Sequence, residues 1–392
     1  TLAGAAYALL YAATGRLGYA LLLHTGISTH PLPFWEIILP IGLSFHTFQA
    51  MSYTIEVYRG HQKAERHFGV YALYVMFYPQ LVAGPIERPQ NLLHQFHEEH
   101  TFSYENLLVG LRLMLWGLFK KVVIADRLAI YANAVFGNQE QYDAVQLMIA
   151  VLCFTIQIYC DFSGYSDMAI GAARAMGFHL MVNFNRPYFS TNIQEFWAKW
   201  HMSLSTWFRD YLYIPLGGSK GSKLFQIRNV MIIFLVSGFW HGANWTFIAW
   251  GLINALYFIP LMVLNRNRSN MDSFQLTLNF DSLRILINIM LTFAITCVAW
   301  IFFRSKTIQD AFAYISRMFT EGHFTEQYFK IERYTTELWS LLLIFVLVEW
   351  NSRTKIEPIS GQYSWLKVSL CMAAILALGV FSDYKEFIYF QF

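Results

Sequence analysis

Residues Phe234-Leu235-Val236-Ser237-Gly238-Phe239-Trp240-His241-Gly242-Ala243-Asn244-Trp245 form an apolar stretch with one ionisable side chain and no charged residue. An ionisable group in such surroundings is costly to keep dry and usually faces a cavity or a partner. Continued as a helix, the stretch puts Ser237 four residues before His241 and Asn244 three after it, on one face. Gly238 and Gly242 leave room for another backbone or a substrate to approach. A neutral imidazole in a dry cavity is a competent general base toward a hydroxyl. The same histidine could instead hold two helices together through a hydrogen bond, and the stretch alone leaves both readings open.

The surroundings of this stretch set the fold class. Of 392 residues, 56% are hydrophobic in type and only 14% are charged, against about a quarter in soluble domains. High hydrophobicity excludes disorder. Aromatic residues reach 18%, which suits rings with one dry and one wet side at a membrane interface. The net charge of +3 is too small to argue for a nucleic-acid partner. Lipid is the expected solvent and partner. Apolar runs at 2–23, 35–57, 68–86, 105–124, 144–162, 229–245, 246–264, 283–303, 337–350 and 366–382 give roughly ten segments near the length a bilayer core requires. Pro40, Pro79, Gly84 and Pro85 interrupt the early ones, and broken segments are tolerated only where protein covers them or they line a cavity. The expected fold is therefore all-α, a polytopic transmembrane helical bundle of roughly ten spans with re-entrant or interfacial helices around a central tunnel. No internal repeat or domain boundary is visible, so residues 1–392 read as one integral-membrane domain. The run Leu2 to Leu23 lacks the basic start and small-residue cleavage site of a signal peptide.

Residues 180–228 are too polar to span and too aromatic for an ordinary loop, and read as a re-entrant or interfacial region. Thr191-x-x-Gln194 resembles a capping box that starts a helix near Asn192. In the same region His201, Ser205 and Arg209 fall on one helical stripe, although an interfacial histidine in an aromatic belt would look alike. Basic clusters at Arg59/Lys63/Arg66, Lys120/Lys121, Lys220/Lys223/Arg228 and Arg266/Arg268 are cytoplasmic in expectation but do not alternate as simple spans require. Asp161 and Asp167 are six apart, not a same-face helical spacing. Pairing with Arg174, Arg186 or Arg209 is expected of them, not acid–base work. Cys153, Cys160, Cys297 and Cys371 lie in apolar stretches without C-x-x-C spacing and read as small buried hydrophobes, with no metal site. The letters Gly217-Gly218-Ser219-Lys220-Gly221 match a nucleophile elbow, but a basic, glycine-rich loop lacks the strand and helix that such an elbow needs.

Taken together, Trp200-His201-Met202-Ser203-Leu204-Ser205-Thr206-Trp207-Phe208-Arg209-Asp210-Tyr211 and Gly238-Phe239-Trp240-His241-Gly242 resemble the two histidine motifs of membrane-bound O-acyltransferases, the MBOAT family. Pro40-Ile41-Gly42-Leu43-Ser44-Phe45, Ala83-Gly84-Pro85-Ile86-Glu87-Arg88, Asp161-Phe162-Ser163-Gly164-Tyr165-Ser166-Asp167 and Asp210-Tyr211-Leu212-Tyr213-Ile214-Pro215-Leu216-Gly217-Gly218 are similar to its bacterial branch. Within that branch the likeness is greatest to alginate O-acetyltransferases, with the D-alanyl transfer proteins of teichoic acid modification as a sister group. It runs from about Pro40 to Phe303. The resemblance implies that further N-terminal membrane segments precede Thr1.

It also implies a function. His241 is the expected general base, and His201 is expected to line the tunnel and assist. Trp200, Ser205, Arg209, Asp210, Ser237, Trp240 and Asn244 are the expected substrate-binding residues. No bound cofactor is expected. The implied donor is an acyl thioester, acetyl-CoA or carrier-linked, reached from the cytoplasm. The implied acceptor is a hydroxyl of an extracytoplasmic polysaccharide such as alginate, acetylated with partner acetyltransferases outside a bacterial cytoplasmic (inner) membrane that the chain crosses several times. D-alanyl transfer, lipid O-acyl transfer by the same histidines, and a non-catalytic transporter are the alternatives; no internal repeat supports the last.

Overall fold

The computed structural model describes residues 43–265, 280–322, 335–353, 355 and 357–381. The expected span 2–23 and the cluster Arg266/Arg268 lie outside the described residues. Among the described residues the regular structure is entirely helical. In chain order the main helices are α1 (Leu43–Tyr58), α2 (Phe68–Val75), α3 (Tyr104–Phe119), α4 (Asp126–Gly137), α5 (Ala144–Ala175), α6 (Ile193–Lys199), α7 (Met202–Phe208), α8 (Lys223–His241), α9 (Trp245–Val263), α10 (Phe280–Arg304), α11 (Ile308–Thr320), α12 (Thr335–Asn351) and α13 (Ser364–Leu378).

Helix α5 is the mast of the fold. The Asp143 side chain accepts from the backbone N–H of Val145 and Gln146, while Gln146 returns a bond to the Asp143 N–H, a closed capping box that starts the helix. Its 32 residues extend about 48 Å, more than a hydrocarbon core. Most of its middle is buried. Helix α3 lies against it through two glycine pairs: a Cβ on Gly110 would strike the Gly171 carbonyl oxygen, and one on Gly117 the Gly164 carbonyl oxygen. The α8–α9 hairpin closes in the same way, with Gly238 against the Phe247 carbonyl and Gly251 against that of Phe234. Without a hydrophobic force between helices in lipid, such close backbone contact is what holds them.

Four of the described helices, α5, α8, α9 and α10, are long and apolar enough to cross a membrane. The expectation of roughly ten rested on the lengths of apolar runs, and several runs do not continue as one helix. The run 68–86 breaks at Val75, resumes as the short turn Tyr78–Gln80 and stops again. Pro79 and Pro85 offer no N–H to continue a helical ladder. Buried Gln80 donates to the Gln49 side-chain oxygen at 2.9 Å, tying the broken run to α1.

The charges inside this body require a correction. Lys120 and Lys121 are not a loop cluster; they, and not Arg174, Arg186 or Arg209, make the close ion pairs with Asp167 and Asp161, while Arg186 acts on Asp167 only at longer range. Lys120 meets Asp167 at 2.7 Å and donates to Ser163 Oγ at 2.9 Å. Lys121 lies between Asp126 at 2.9 Å and Asp161 at 2.8 Å. The cause is local. Between α3 and α4 the chain forms a π-helical turn, Lys120–Ala125, and the wider turn swings adjacent lysines toward α5. The three arginines are engaged elsewhere, Arg186 with Glu349 at 3.7 Å, Arg209 with Asp210 at 2.7 Å and Arg174 with His179. All four cysteines are free and buried, as read from their apolar contexts.

Glu87 is fully buried. Its carboxylate accepts from the Met181 N–H at 2.5 Å and from Asn91 Nδ2 at 3.4 Å. Burial pushes its pKa from 4.5 up to about 7, outweighing those bonds. A raised folded-state pKa gives stability that is complete below the unfolded value and lost as pH rises through the folded one. The size is about 3 kcal/mol. The detergent-solubilised protein is expected to melt at a higher temperature at pH 5 than at pH 8, and Glu87→Gln to remove most of that difference. An unchanged pH dependence in the Gln variant would refute this assignment.

Candidate active site

The two histidines of the sequence reading enter from different elements. His201 sits between the short helices α6 and α7. Asn192 starts α6 by accepting from the Glu195 N–H at 2.9 Å. Glu195, not Gln194, closes the turn, taking bonds from Thr191 N and Oγ at 2.7 and 2.8 Å. Between the two helices His201 adopts a left-handed backbone, φ 44° and ψ 56°, which costs a residue with a side chain on the order of 1–3 kcal/mol. The surroundings enforce it. The Met202 N–H donates to the Asn183 carbonyl at 2.8 Å and the Asn185 N–H to the Lys199 carbonyl at 3.0 Å. The buried ring stands edge-on to Phe162, with centroids 4.7 Å apart.

His241 is the last residue of α8. Gly242 continues in an extended conformation, so the helix stops there and Asn244 no longer shares a face with His241, contrary to the expected spacing. Asn244 caps α9 instead, accepting from the Thr246 N–H at 3.2 Å and donating to the Lys306 carbonyl at 3.0 Å. The imidazole is boxed by ring edges: Trp250 and Phe303 each lie 5.1 Å away at near-perpendicular angles.

Both histidines line one cavity of about 380 Å³. Ser237, Ser205, Trp200 and Arg209 line it with them. Three other expected residues do not. Trp240 rests on Phe48, with centroids 5.2 Å apart. Asn244 is committed to its cap. Asp210 bridges Arg209 at 2.7 Å and Arg88 at 3.4 Å, locking the Ala83–Arg88 segment to the turn after α7. The sequence reading missed Gln194 and Trp197 on α6, Ile158 and Phe162 on α5, Trp250 on α9, and Trp300 and Phe303 on α10. A polar helix beside an aromatic-rich motif pointed to the first two, whereas nothing local distinguishes Trp250 or Trp300 from other apolar-helix tryptophans.

Chemically, the chamber is two imidazoles inside a wall that is mostly aromatic and aliphatic. Such a wall excludes water and lets few groups compete for a proton. The lining also includes Arg209, whose side chain is 58% exposed, so the chamber reaches the surface at that residue.

Fold and chamber together define a helical membrane protein whose paired histidines face an internal, largely apolar space. Residues 59–299 match the model of MBOAT, the membrane-bound O-acyltransferase family, and the chain belongs to that family. It is similar to the Pseudomonas aeruginosa protein named "Probable alginate O-acetylase AlgI", at 40% identity over 301 residues, covering 76% of this chain and 55% of that protein. It is 37% identical to the peptidoglycan O-acetyltransferase of Helicobacter pylori over 309 residues, 72% of this chain and 57% of the relative. The teichoic acid D-alanyltransferase of Bacillus subtilis is 28% identical over 250 residues, 58% of this chain and 61% of the relative. The chain thus spans little more than half the length of the first two of these relatives.

Proposed function

We propose that this chain is a membrane-bound O-acetyltransferase that moves an acetyl group from a cytoplasmic thioester, acetyl-CoA or carrier-linked, toward hydroxyls of an extracytoplasmic glycan, from the cytoplasmic membrane of a bacterium. The observation that carries the reading is the meeting of His201 and His241 in one apolar chamber, in a chain of an acyltransferase family. Acetyl is favoured over D-alanyl because identity to relatives named for O-acetylation, 40% and 37%, exceeds the 28% to the D-alanyl relative. The acceptor is read as a glycan because the two O-acetylating relatives are named for alginate and peptidoglycan.

In this mechanism His241 takes the proton of the acceptor hydroxyl as its oxygen attacks the thioester carbonyl carbon. The tetrahedral centre collapses, the new ester C–O bond is kept and the C–S bond breaks. The imidazolium then returns its proton to the leaving thiolate, so the base is regenerated. Ser237, one turn earlier on α8, faces the same space. Arg209 lies at the exposed limit of the chamber and binds substrate there. In the cell, extracytoplasmic acetyltransferase partners assist delivery to the glycan.

Proteoliposomes supplied with a labelled acetyl thioester on one side and an acceptor oligosaccharide on the other test the proposal. Labelled ester on the saccharide is the expected result. Label that crosses without forming an ester identifies a transporter, and label in phospholipid identifies a lipid acyltransferase; either result overturns it.

A further inference from the structure

Asn183 was selected by no motif, yet it is fully buried beside His201. Its side-chain oxygen accepts from the Ser203 backbone N–H at 3.3 Å and from Ser203 Oγ at 2.8 Å, and it faces His201 Nδ1 at 3.1 Å. Its main-chain carbonyl accepts from the Met202 N–H at 2.8 Å. A backbone N–H can only donate. The amide atom facing Ser203 N is therefore the oxygen and not a flipped nitrogen. Ser203 Oγ also lies 3.4 Å from Nδ1, but its one proton goes to the nearer Asn183 oxygen; both oxygens facing Nδ1 are then acceptors, so Nδ1 carries the ring proton, and a neutral imidazole protonated there has a bare lone pair on Nε2. That Nε2 is buried and has no hydrogen-bond partner among the described residues, while His201 lines the chamber that holds His241.

We propose that Asn183 is a positioning residue that locks His201 in the Nδ1–H form, so that Nε2 accepts the hydrogen bond of the incoming hydroxyl. The proposal rests on the acyl-transfer reading and sharpens it. With its one proton turned away, a neutral His201 offers the chamber no N–H, so it does not donate to the developing oxyanion. It is a second acceptor near the base, and it aims the hydroxyl that His241 deprotonates. Asn183 also secures the left-handed backbone at His201 through the Met202 bond. One residue therefore fixes both where the ring sits and which nitrogen is bare. An unpaired buried nitrogen is costly to keep, and a hydroxyl-bearing substrate supplies the partner that the fold omits.

The test has a readout independent of turnover. In histidine-labelled protein in nanodiscs, nitrogen NMR, with the His201→Gln variant to assign the signals, is expected to show His201 Nδ1 protonated and Nε2 bare at neutral pH. Asn183→Leu is expected to mix the two forms and to lower kcat for acetyl transfer about 10- to 100-fold, by analogy with the loss of partners that orient metal-bound histidines, with KM for the thioester unchanged. Asn183→Asp keeps an oxygen acceptor and is expected to restore most of kcat, with the acid limb of the pH profile moved upward by the added negative charge. A protonated Nε2 in the wild type overturns the proposal. So does a folded Asn183→Leu with wild-type kcat, or a folded Asn183→Asp that restores nothing. If Asn183→Leu fails to fold, the wild-type spectrum and the Asp variant decide. If the wild type transfers no acetyl group, the acyl-transfer reading fails while the spectrum still settles the tautomer.

Discussion

On the proposed function, His241→Ala is expected to lower acetyl transfer by about 10²- to 10⁴-fold, the range for loss of a general base, while the protein level and melting temperature stay near those of the wild type. The stability half of this expectation follows from the site. His241 ends α8, and its ring neighbours include the adjacent Trp240 and the edges of Trp250 and Phe303, while the Gly238 and Gly251 contacts of the α8–α9 hairpin are made by backbone and do not depend on its side chain. The activity half follows from chemistry, because among the described residues no carboxylate or amine lines the chamber to take over the proton; the other polar groups there are hydroxyls, an amide, indole N–H groups, the Arg209 guanidinium and His201. Counting ester on the acceptor against folded protein measures both halves. Near-normal ester formation in a well-folded variant removes His241 from the mechanism. His201→Ala is the informative companion, since an aiming residue costs less than the base it serves.

The second large effect lies away from the chamber. Lys121→Met is expected to abolish recovery of folded protein or to lower its melting temperature steeply, because Asp126 and Asp161 would lose their shared cation inside the protein. Removing one partner of a buried ion pair costs about 3–5 kcal/mol, a large part of a typical folding free energy. Asp161→Asn is milder, since Lys121 keeps Asp126. Thermal melts in detergent by fluorescence-detected size exclusion compare the two directly. Equal, wild-type melting of both variants would show that these charges are not held as a buried set.

The same lysines show what the sequence could and could not reveal. Adjacent lysines after an apolar run look like a span meeting water. Only the π-helical turn, a tertiary-scale detail with no local signature, turns them back into the protein. Among the described residues, apolar run length did not foretell helix continuity for a related reason: composition registers dryness, and a broken segment such as 68–86 is as dry as a continuous one. The two histidines were legible because one stood alone in an apolar stretch and the other lay on a stripe with Ser205 and Arg209, and the family motifs joined them. Asn244 was misplaced because the helix ends at His241, which a glycine-rich sequence permits but does not announce. Asn183 was invisible among neighbouring asparagines, since what distinguishes it is the company its oxygen keeps. The walls from Trp250, Trp300 and Phe303 depend on which helices meet, and nothing in their own sequence states that.

The buried lysines also constrain how the protein is made. Helix α3 and its turn are synthesised before α5, so Lys120 and Lys121 emerge when, of their partners, only Asp126 follows closely. A lysine buried without its counter-charge is strongly destabilising, which opposes stable folding of α3 and its turn on their own. The lysines of α3 and its turn therefore gain most of their counter-charges only once α5 is made, and the two helices then pack glycine against glycine with those pairs closed.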